Sequence, residues 1–230
     1  MIPTSEDADA AVSDVFDGAC LLIGGFGYAG QPIELIDAVR RAGVRDLTVV
    51  NNNAGNGEIG LAALLRGGQV RKVICSFPRQ NDSWAMDELY RANRVELEVV
   101  PQGTLAERLR AAGAGIGAFF CPTAVGTALA TGREARTIDG RDHVLEYPLR
   151  GDFALIKAFR ADNAGNLVYR KTARNFNPVM ATAAKVTIAQ VQSVVSAGNI
   201  DPEVVVTPGI YVDRLVEVRD PEHGPPPEVA

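Results

Sequence analysis

A glycine-rich loop is the first segment of this sequence whose residue types could do chemistry. Gly25, Gly27 and Gly30 satisfy the pattern G-x-G-x-x-G, directly after an apolar run and just before a helix-like stretch. Because glycine has no Cβ atom, the backbone N–H groups of such a loop can closely approach a carbonyl or phosphate group at the positive end of a helix. The loop therefore predicts either a ligand site or a tight turn without a ligand.

The same pattern is the fingerprint of a dinucleotide site, which makes an NAD-binding oxidoreductase domain one alternative. Such a site also needs an acidic residue at the end of the second strand to hold the ribose hydroxyls. This sequence has Asn51, Asn52 and Asn53 there. Binding of a nicotinamide cofactor to the isolated chain would be needed to favour this alternative.

From residue 19 onwards, short apolar runs alternate with amphipathic stretches, a pattern typical of βαβ units on a mostly parallel sheet. The predicted strands are Ala19–Gly24, Leu47–Asn51, Val73–Ser76, Leu97–Pro101 and Ala118–Cys121. In such sheets, ligands bind at the loops that follow the carboxyl ends of the strands. The segments in that position are Gly24–Gln31, Asn51–Gly57 and Pro101–Thr104.

Two helices have clear start and stop signals. Residues 32–41 form one, with proline at its first position and Gly43 as its stop. Residues 105–112 form the other, opened by a capping box of Thr104 and Glu107 and ended by Gly113.

After residue 140 the pattern changes, because the apolar runs 152–159 and 167–171 flank a turn sequence at residues 163–166. This arrangement predicts an antiparallel hairpin. A short helix over Pro178–Lys185 and strands over Val186–Val191, Val204–Thr207 and Leu215–Val218 are expected to follow. The predicted fold is α/β, an open and mostly parallel sheet flanked by helices, with an antiparallel hairpin region in the C-terminal half. We expect one domain over residues 1–230, with an ordered core over about 12–218 and a tail over 219–230.

Composition narrows the classes of function. The formal charge of −5 gives no electrostatic reason to expect nucleic acid or an anionic membrane surface as a partner. No apolar run approaches the roughly 20 residues of a membrane span. Cys20, Cys75 and Cys121 each lie in an apolar run, as buried reduced cysteines do, so we expect a cytoplasmic protein. With two histidines and no ligand-spaced cluster, we expect no metal site.

Several motifs together carry a family resemblance. The run from Asp17 to Pro32 resembles the first signature of the 3-oxoacid CoA-transferases: an Asp-Gly pair, a short apolar strand, Gly-Gly-Phe and then Gly-x-Pro. The resemblance continues through residues 51–55, 101–108, 112–115, 151–158 and 173–176, and spans roughly residues 12–218. Residues 56–65 and 75–80 are most similar to A subunits of 3-oxoadipate CoA-transferase. The succinyl-CoA:acetoacetate branch of the family shares the other motifs.

The resemblance implies a covalent relay in which an enzyme glutamate attacks an acyl-CoA and later holds CoA as a thioester. In this family that glutamate belongs to the B subunit, so we expect a B subunit as partner and a chain that is inactive alone. The implied substrates are succinyl-CoA and a 3-oxoacid, with 3-oxoadipate favoured over acetoacetate. CoA is then a substrate and a covalent intermediate on the partner, and no cofactor is bound permanently.

The resemblance also implies roles for individual residues. Gln102 corresponds to the family's motif glutamine and could donate to the developing oxyanion, or could brace its loop. Asn52 and Asn53 correspond to paired asparagines near the reacting centre, with loop bracing as the alternative. The loop credited with CoA contact, or with shaping the site, comprises Gly24, Gly25, Phe26, Gly27, Tyr28, Ala29 and Gly30.

Charged residues near these motifs are weaker candidates. Glu58 could be mistaken for the nucleophile, but its position suits the start of the next helix. Arg79, Lys157 and Arg174 lie in motif segments and are candidates for binding a distal carboxylate. A non-enzymatic ligand-sensing module on the same scaffold is a further alternative, although a sensor has no need for all three loop motifs.

Overall fold

A seven-stranded parallel sheet forms the centre of the computed structural model, which describes residues 1–218. The predicted tail, residues 219–230, lies outside the described residues. The strands are β1 (Cys20–Ile23), β2 (Leu47–Val50), β3 (Val70–Cys75), β4 (Glu96–Val99), β5 (Phe119–Cys121), β6 (Ala135–Ile138), β7 (Arg141–Glu146), β8 (Gly151–Lys157), β9 (Arg160–Asp162), β10 (Leu167–Val168), β11 (Ala184–Val191), β12 (Val194–Val195) and β13 (Arg214–Glu217). The helices are α1 (Ala8–Ala11), α2 (Ile33–Ala42), α3 (Leu61–Arg66), α4 (Trp84–Arg91), α5 (Gln102–Gly113) and α6 (Asn177–Ala181).

The strand order of the central sheet is β13-β11-β8-β1-β2-β3-β4, and every neighbouring pair is parallel. Helices cover both faces, so the central strands are buried on both sides and read as continuous apolar runs. Leu21 and Ile23 pack into the core on one face, and Leu22 packs into the core on the other. The predicted fold class is confirmed.

Helix α2 follows the prediction closely. Pro32 stands at the N-cap position, one residue before the helix, and Gly43 ends the helix in the left-handed conformation, at φ 72°. Helix α5 instead begins at Gln102, three residues before the predicted start. The Leu105 N–H donates to the Pro101 carbonyl (2.8 Å), so the first turn closes before Thr104. Thr104 therefore lies inside the helix, and the predicted capping box is wrong.

Two predicted strands pair with other partners than the sequence predicted. Residues 152–159, predicted as one arm of a hairpin, mostly belong to β8, which lies between β1 and β11 in the parallel sheet. The hairpin is instead formed by β9 and β10 around the predicted turn. The predicted strand Ala118–Cys121 exists as β5, but it pairs antiparallel with β7 in a separate three-stranded sheet with β6.

The last predicted elements are shorter or different. Helix α6 ends at Ala181, before the predicted end, because β11 begins at Ala184. The predicted strand Val204–Thr207 is wrong: Pro202–Val204 is a 3₁₀ turn, and of this run only Thr207 forms a bridge, to Leu167. No helix within residues 1–218 is long and apolar enough to span a membrane.

Candidate active site

The carboxyl ends of β1, β2 and β3 lie side by side, which brings their following loops together. Asn51, directly after β2, is fully buried, and its side-chain amide donates to the carbonyl of Ile23 (2.6 Å) at the end of β1. Its Oδ1 atom accepts from the Asn53 N–H (2.8 Å). Asn51 therefore fixes the turn that presents Asn52 and Asn53.

The side-chain amides of the site are joined in a chain of hydrogen bonds. Gln102 Nε2 donates to Asn52 Oδ1 (2.8 Å), and Asn52 Nδ2 donates to Asn53 Oδ1 (3.0 Å). The Gly27 N–H also donates to Asn53 Oδ1 (2.8 Å). We call Gln102, Asn52, Asn53 and the Gly27 N–H the amide relay. It joins all three segments that the sequence placed at strand ends.

Burial distinguishes the members of the amide relay. Asn52 and Asn53 are 0% and 2% exposed, whereas Gln102 is exposed at the start of α5. The Ser76 hydroxyl also donates to Asn52 Oδ1 (2.7 Å), so this oxygen accepts two hydrogen bonds. Gln102 is therefore the member whose amide can reach a ligand, and the buried asparagines hold it in place. Ser76 was missed as a functional residue, although it stands at the predicted end of a strand.

The glycine loop is held by hydrogen bonds within the loop and to neighbouring segments. Phe26 and Ala29 exchange backbone hydrogen bonds (3.0 and 3.2 Å), and the N–H groups of Gly24, Gly25 and Gly27 also bind acceptors within the fold. Gly25 and Gly27 have φ angles of 124° and 58°, which only glycine adopts readily. Among the described residues, the backbone N–H groups of Tyr28 and Gly30 have no acceptor. The predicted contact of this loop with CoA stays a prediction.

Two asparagines that sequence reasoning did not single out brace this loop. Asn175 accepts from the Gly25 N–H (3.1 Å) and donates to the Ala29 carbonyl (2.8 Å). Asn177 donates to the Gly30 carbonyl (3.1 Å). A Cβ atom on Gly24 would overlap the side chain of Asn177, so Gly24 has to be glycine for this contact. The signals in the sequence were the family-like motif at residues 173–176, which contains Asn175, and a pair of amides beside a proline.

Aromatic residues lie on the loops that carry the amide relay. Phe26 and Phe77 are about half exposed, and Phe77 forms a backbone bridge with Asn53. Burial, with a further contribution from Asp82, raises the pKa of Tyr28, so its phenol stays protonated and can donate a hydrogen bond. Phe26 and Phe77 therefore present apolar surface on two of these loops.

The charged candidates Glu58 and Arg79 are both exposed and both form ion pairs. The Glu58 side chain is 76% exposed and pairs with Arg66 at 3.8 Å. Helix α3 begins only at Leu61, so Glu58 stands in the preceding turn rather than in the helix. Arg79 is exposed and pairs with Asp87 (3.0 Å).

Cys75 is buried and Cys20 is partly buried, and both are poor nucleophiles. Burial raises the pKa of Cys75 to about 12 and that of Cys20 to about 11, so both stay protonated at neutral pH. Cys121 Sγ lies 4.0 Å from Thr104 Oγ1 on α5. Within residues 1–218, no group of three or more histidine, cysteine, aspartate and glutamate side chains could hold a metal ion.

The fold agrees with comparisons to known proteins. The family model described as coenzyme A transferase matches residues 5–218, and the chain belongs to this family of enzymes. It is 63% identical over 215 residues to the A subunit of 3-oxoadipate CoA-transferase from Pseudomonas putida, covering 94% of this chain and 93% of that relative. It is 54% identical to the A subunit of succinyl-CoA:3-ketoacid coenzyme A transferase from Xanthomonas campestris, over 94% of this chain and 89% of that relative. The predicted family and its predicted nearest branch are confirmed.

Solved structures show the same fold at low identity. The acyl-CoA transferase YdiF of Escherichia coli O157:H7 superposes with a TM-score of 0.84 at 22% identity; the match covers 95% of this chain but only 47% of the Escherichia coli chain. Glutaconate coenzyme A-transferase of Acidaminococcus fermentans superposes with a TM-score of 0.82 at 21% identity, over 92% of this chain and 74% of that one.

Proposed function

We propose that this chain is the A subunit of a CoA-transferase that moves CoA from succinyl-CoA to 3-oxoadipate. Relatives at 63% and 60% identity carry the 3-oxoadipate name, whereas those named for 3-ketoacids reach 54%. The enzyme then acts in aromatic-compound catabolism in the cytoplasm. Transfer to acetoacetate is the second candidate, supported by the relatives at 54% identity.

The amide relay is the observation that supports this function. Its groups are neutral donors, and the one carboxylate considered as a nucleophile, Glu58, is exposed and paired with Arg66. We therefore assign the nucleophilic glutamate to a partner, the B subunit. That carboxylate attacks the thioester carbonyl, CoA leaves as a thiolate, and a mixed anhydride remains. The thiolate then attacks the glutamyl carbonyl, which releases succinate and leaves CoA on the glutamate as a thioester.

Gln102 acts on the oxyanion that develops at each of these attacked carbonyls. One N–H of its amide is held by Asn52, which fixes the orientation of the side chain and leaves the second N–H free to donate. A preorganised donor of this kind needs no reorganisation when charge develops. The buried asparagines act as positioning residues, since neither is exposed.

The test compares this chain alone with the chain co-purified with its B subunit. We expect CoA transfer from succinyl-CoA only in the mixture, and faster transfer to 3-oxoadipate than to acetoacetate. Glu58→Gln should leave the rate unchanged. Transfer by the chain alone, abolished by Glu58→Gln, would show that the nucleophile lies in this chain. Faster transfer to acetoacetate would favour the second candidate, and no transfer to either acid would support a ligand-sensing role.

A further inference from the structure

Residues 157–174 concentrate positive charge in an otherwise acidic chain. The basic cluster of this segment comprises Lys157, Arg160, Arg170, Lys171 and Arg174. The segment contains a single acidic residue, Asp162, whereas the whole chain has a net charge of −5. Grouped like charges repel one another and destabilise the folded state. Such a cluster therefore indicates an anion that neutralises it.

No such anion is found within the part of the chain that the structure describes. None of the five cations forms an ion pair with a residue in 1–218. Asp162 is buried and accepts hydrogen bonds from the backbone N–H groups of Ala164 (3.0 Å) and Asn166 (2.9 Å), and from the Asn166 side chain (2.8 Å). It closes the turn between β9 and β10 instead of neutralising the basic cluster.

The two hairpin arginines are held in place by an aromatic ring. The guanidinium carbons of Arg160 and Arg170 lie 5.6 and 5.5 Å from the ring centroid of Phe159. Contact with the ring orients the guanidinium groups and leaves N–H edges free. Both arginines are exposed, so these edges face solvent. A planar guanidinium with free N–H groups matches the oxygens of a phosphate group.

The basic cluster is joined to the glycine loop of the site. Its last members form the 3₁₀ turn Lys171–Arg174, which leads directly into Asn175, the residue bonded to Gly25 and Ala29. At its other end, the Lys157 N–H donates to Asn177 Oδ1 (2.9 Å). An extended ligand that reaches the amide relay over the glycine loop would therefore pass beside these cations.

We propose that the basic cluster binds the phosphate groups at the nucleotide end of a CoA thioester. This inference rests on the proposed function, because the CoA thioester is the substrate of the proposed reaction. CoA carries a diphosphate and a separate phosphomonoester, so several cations spread over a hairpin and a neighbouring turn suit it. The single distal carboxylate of an acyl group would be satisfied by one guanidinium fork. The cations thereby hold the far end of the substrate while Gln102 acts on the thioester.

The test uses Arg160→Gln/Arg170→Gln in the enzyme assembled with its B subunit. We expect the KM for succinyl-CoA to rise about 5- to 25-fold with kcat unchanged, since each exposed charged contact contributes up to roughly fivefold. Kinetics with succinyl-N-acetylcysteamine, a thioester without a nucleotide, should not change. The matched control is Arg91→Gln/Arg94→Gln, which removes two exposed arginines near the amino end of β4, at the opposite edge of the sheet.

A binding measurement separates this inference from the proposed function. Adenosine 3′,5′-bisphosphate should bind the assembled protein in calorimetry, more weakly at high salt and in the double variant, whatever the acyl acceptor proves to be. No CoA transfer by the wild type would refute the proposed function but leave this readout intact. The phosphate assignment would be overturned if the double variant lost equal activity with both thioesters or kept an unchanged KM for succinyl-CoA. It would also be overturned if the double variant failed to co-elute with the B subunit.

Discussion

Gln102→Met is the substitution that tests the amide relay most directly. Methionine is similar in size but lacks the amide N–H groups. Removing one oxyanion donor lowers kcat by roughly 100- to 1,000-fold, which corresponds to about 3–4 kcal/mol of transition-state stabilisation. We therefore expect a loss of that size in kcat for CoA transfer from succinyl-CoA, with a KM that changes little.

The structure predicts that this substitution has little effect on folding. It removes one hydrogen bond, from an exposed side chain to Asn52 Oδ1, which contributes about 1 kcal/mol. Asn52 Oδ1 still accepts from the Ser76 hydroxyl at 2.7 Å, so no buried acceptor loses all its partners. The melting temperature should therefore fall by only a few degrees.

The assay is CoA transfer by the enzyme assembled with its B subunit, with urea unfolding of each variant measured in parallel. Ser76→Ala is the matched control, because it removes the other donor to Asn52 Oδ1 and leaves the Gln102 amide in place. We expect it to lower kcat far less than Gln102→Met does. A kcat for Gln102→Met within about threefold of the wild type would refute the oxyanion role and leave Gln102 as a loop brace.

Two further predictions concern the elements that support the site. Gly24→Ala should destabilise the fold by about 1–3 kcal/mol in urea unfolding, because the added methyl group overlaps Asn177. Gly117→Ala should have a smaller effect, because no atom lies near its Cβ position, and equal losses would contradict the steric explanation. The pKa of Asp152 is held below its usual range, first by a hydrogen bond from the Cys20 N–H and then by the Lys185 ammonium. The ionised Asp152 carboxylate therefore contributes fully to the free energy of unfolding above about pH 4, and this contribution is lost as the pH falls through the lowered pKa. Asp152→Asn should therefore lower the free energy of unfolding by about 1 kcal/mol at pH 7 and by progressively less as the pH falls below about 4. A difference that does not shrink in acid would contradict this.

Local signals were sufficient where an element is defined by its own residues. The apolar runs of β1 and β2 and the glycine after α2 gave those elements to within one or two residues. The run at residues 152–159 was assigned to a hairpin because an apolar strand followed by a turn is consistent with either pairing. Its real partners, β1 and β11, are distant in the sequence. Periodicity reports that a strand is apolar but not which strands lie beside it.

The sequence by itself determined which polar side chains follow the strands and the edge of the sheet where they lie. The carboxyl ends of parallel strands meet at one edge, so strand order along the chain was enough to place Gln102, Asn52 and Asn53 near one another. Only the tertiary structure decided that Asn52 orients Gln102 and that Asn175 braces a loop 150 residues earlier. A hydrogen bond depends on distances of a few tenths of an ångström between groups far apart in the chain. Those distances are fixed by the packing of the whole sheet and its helices, and no local pattern encodes them.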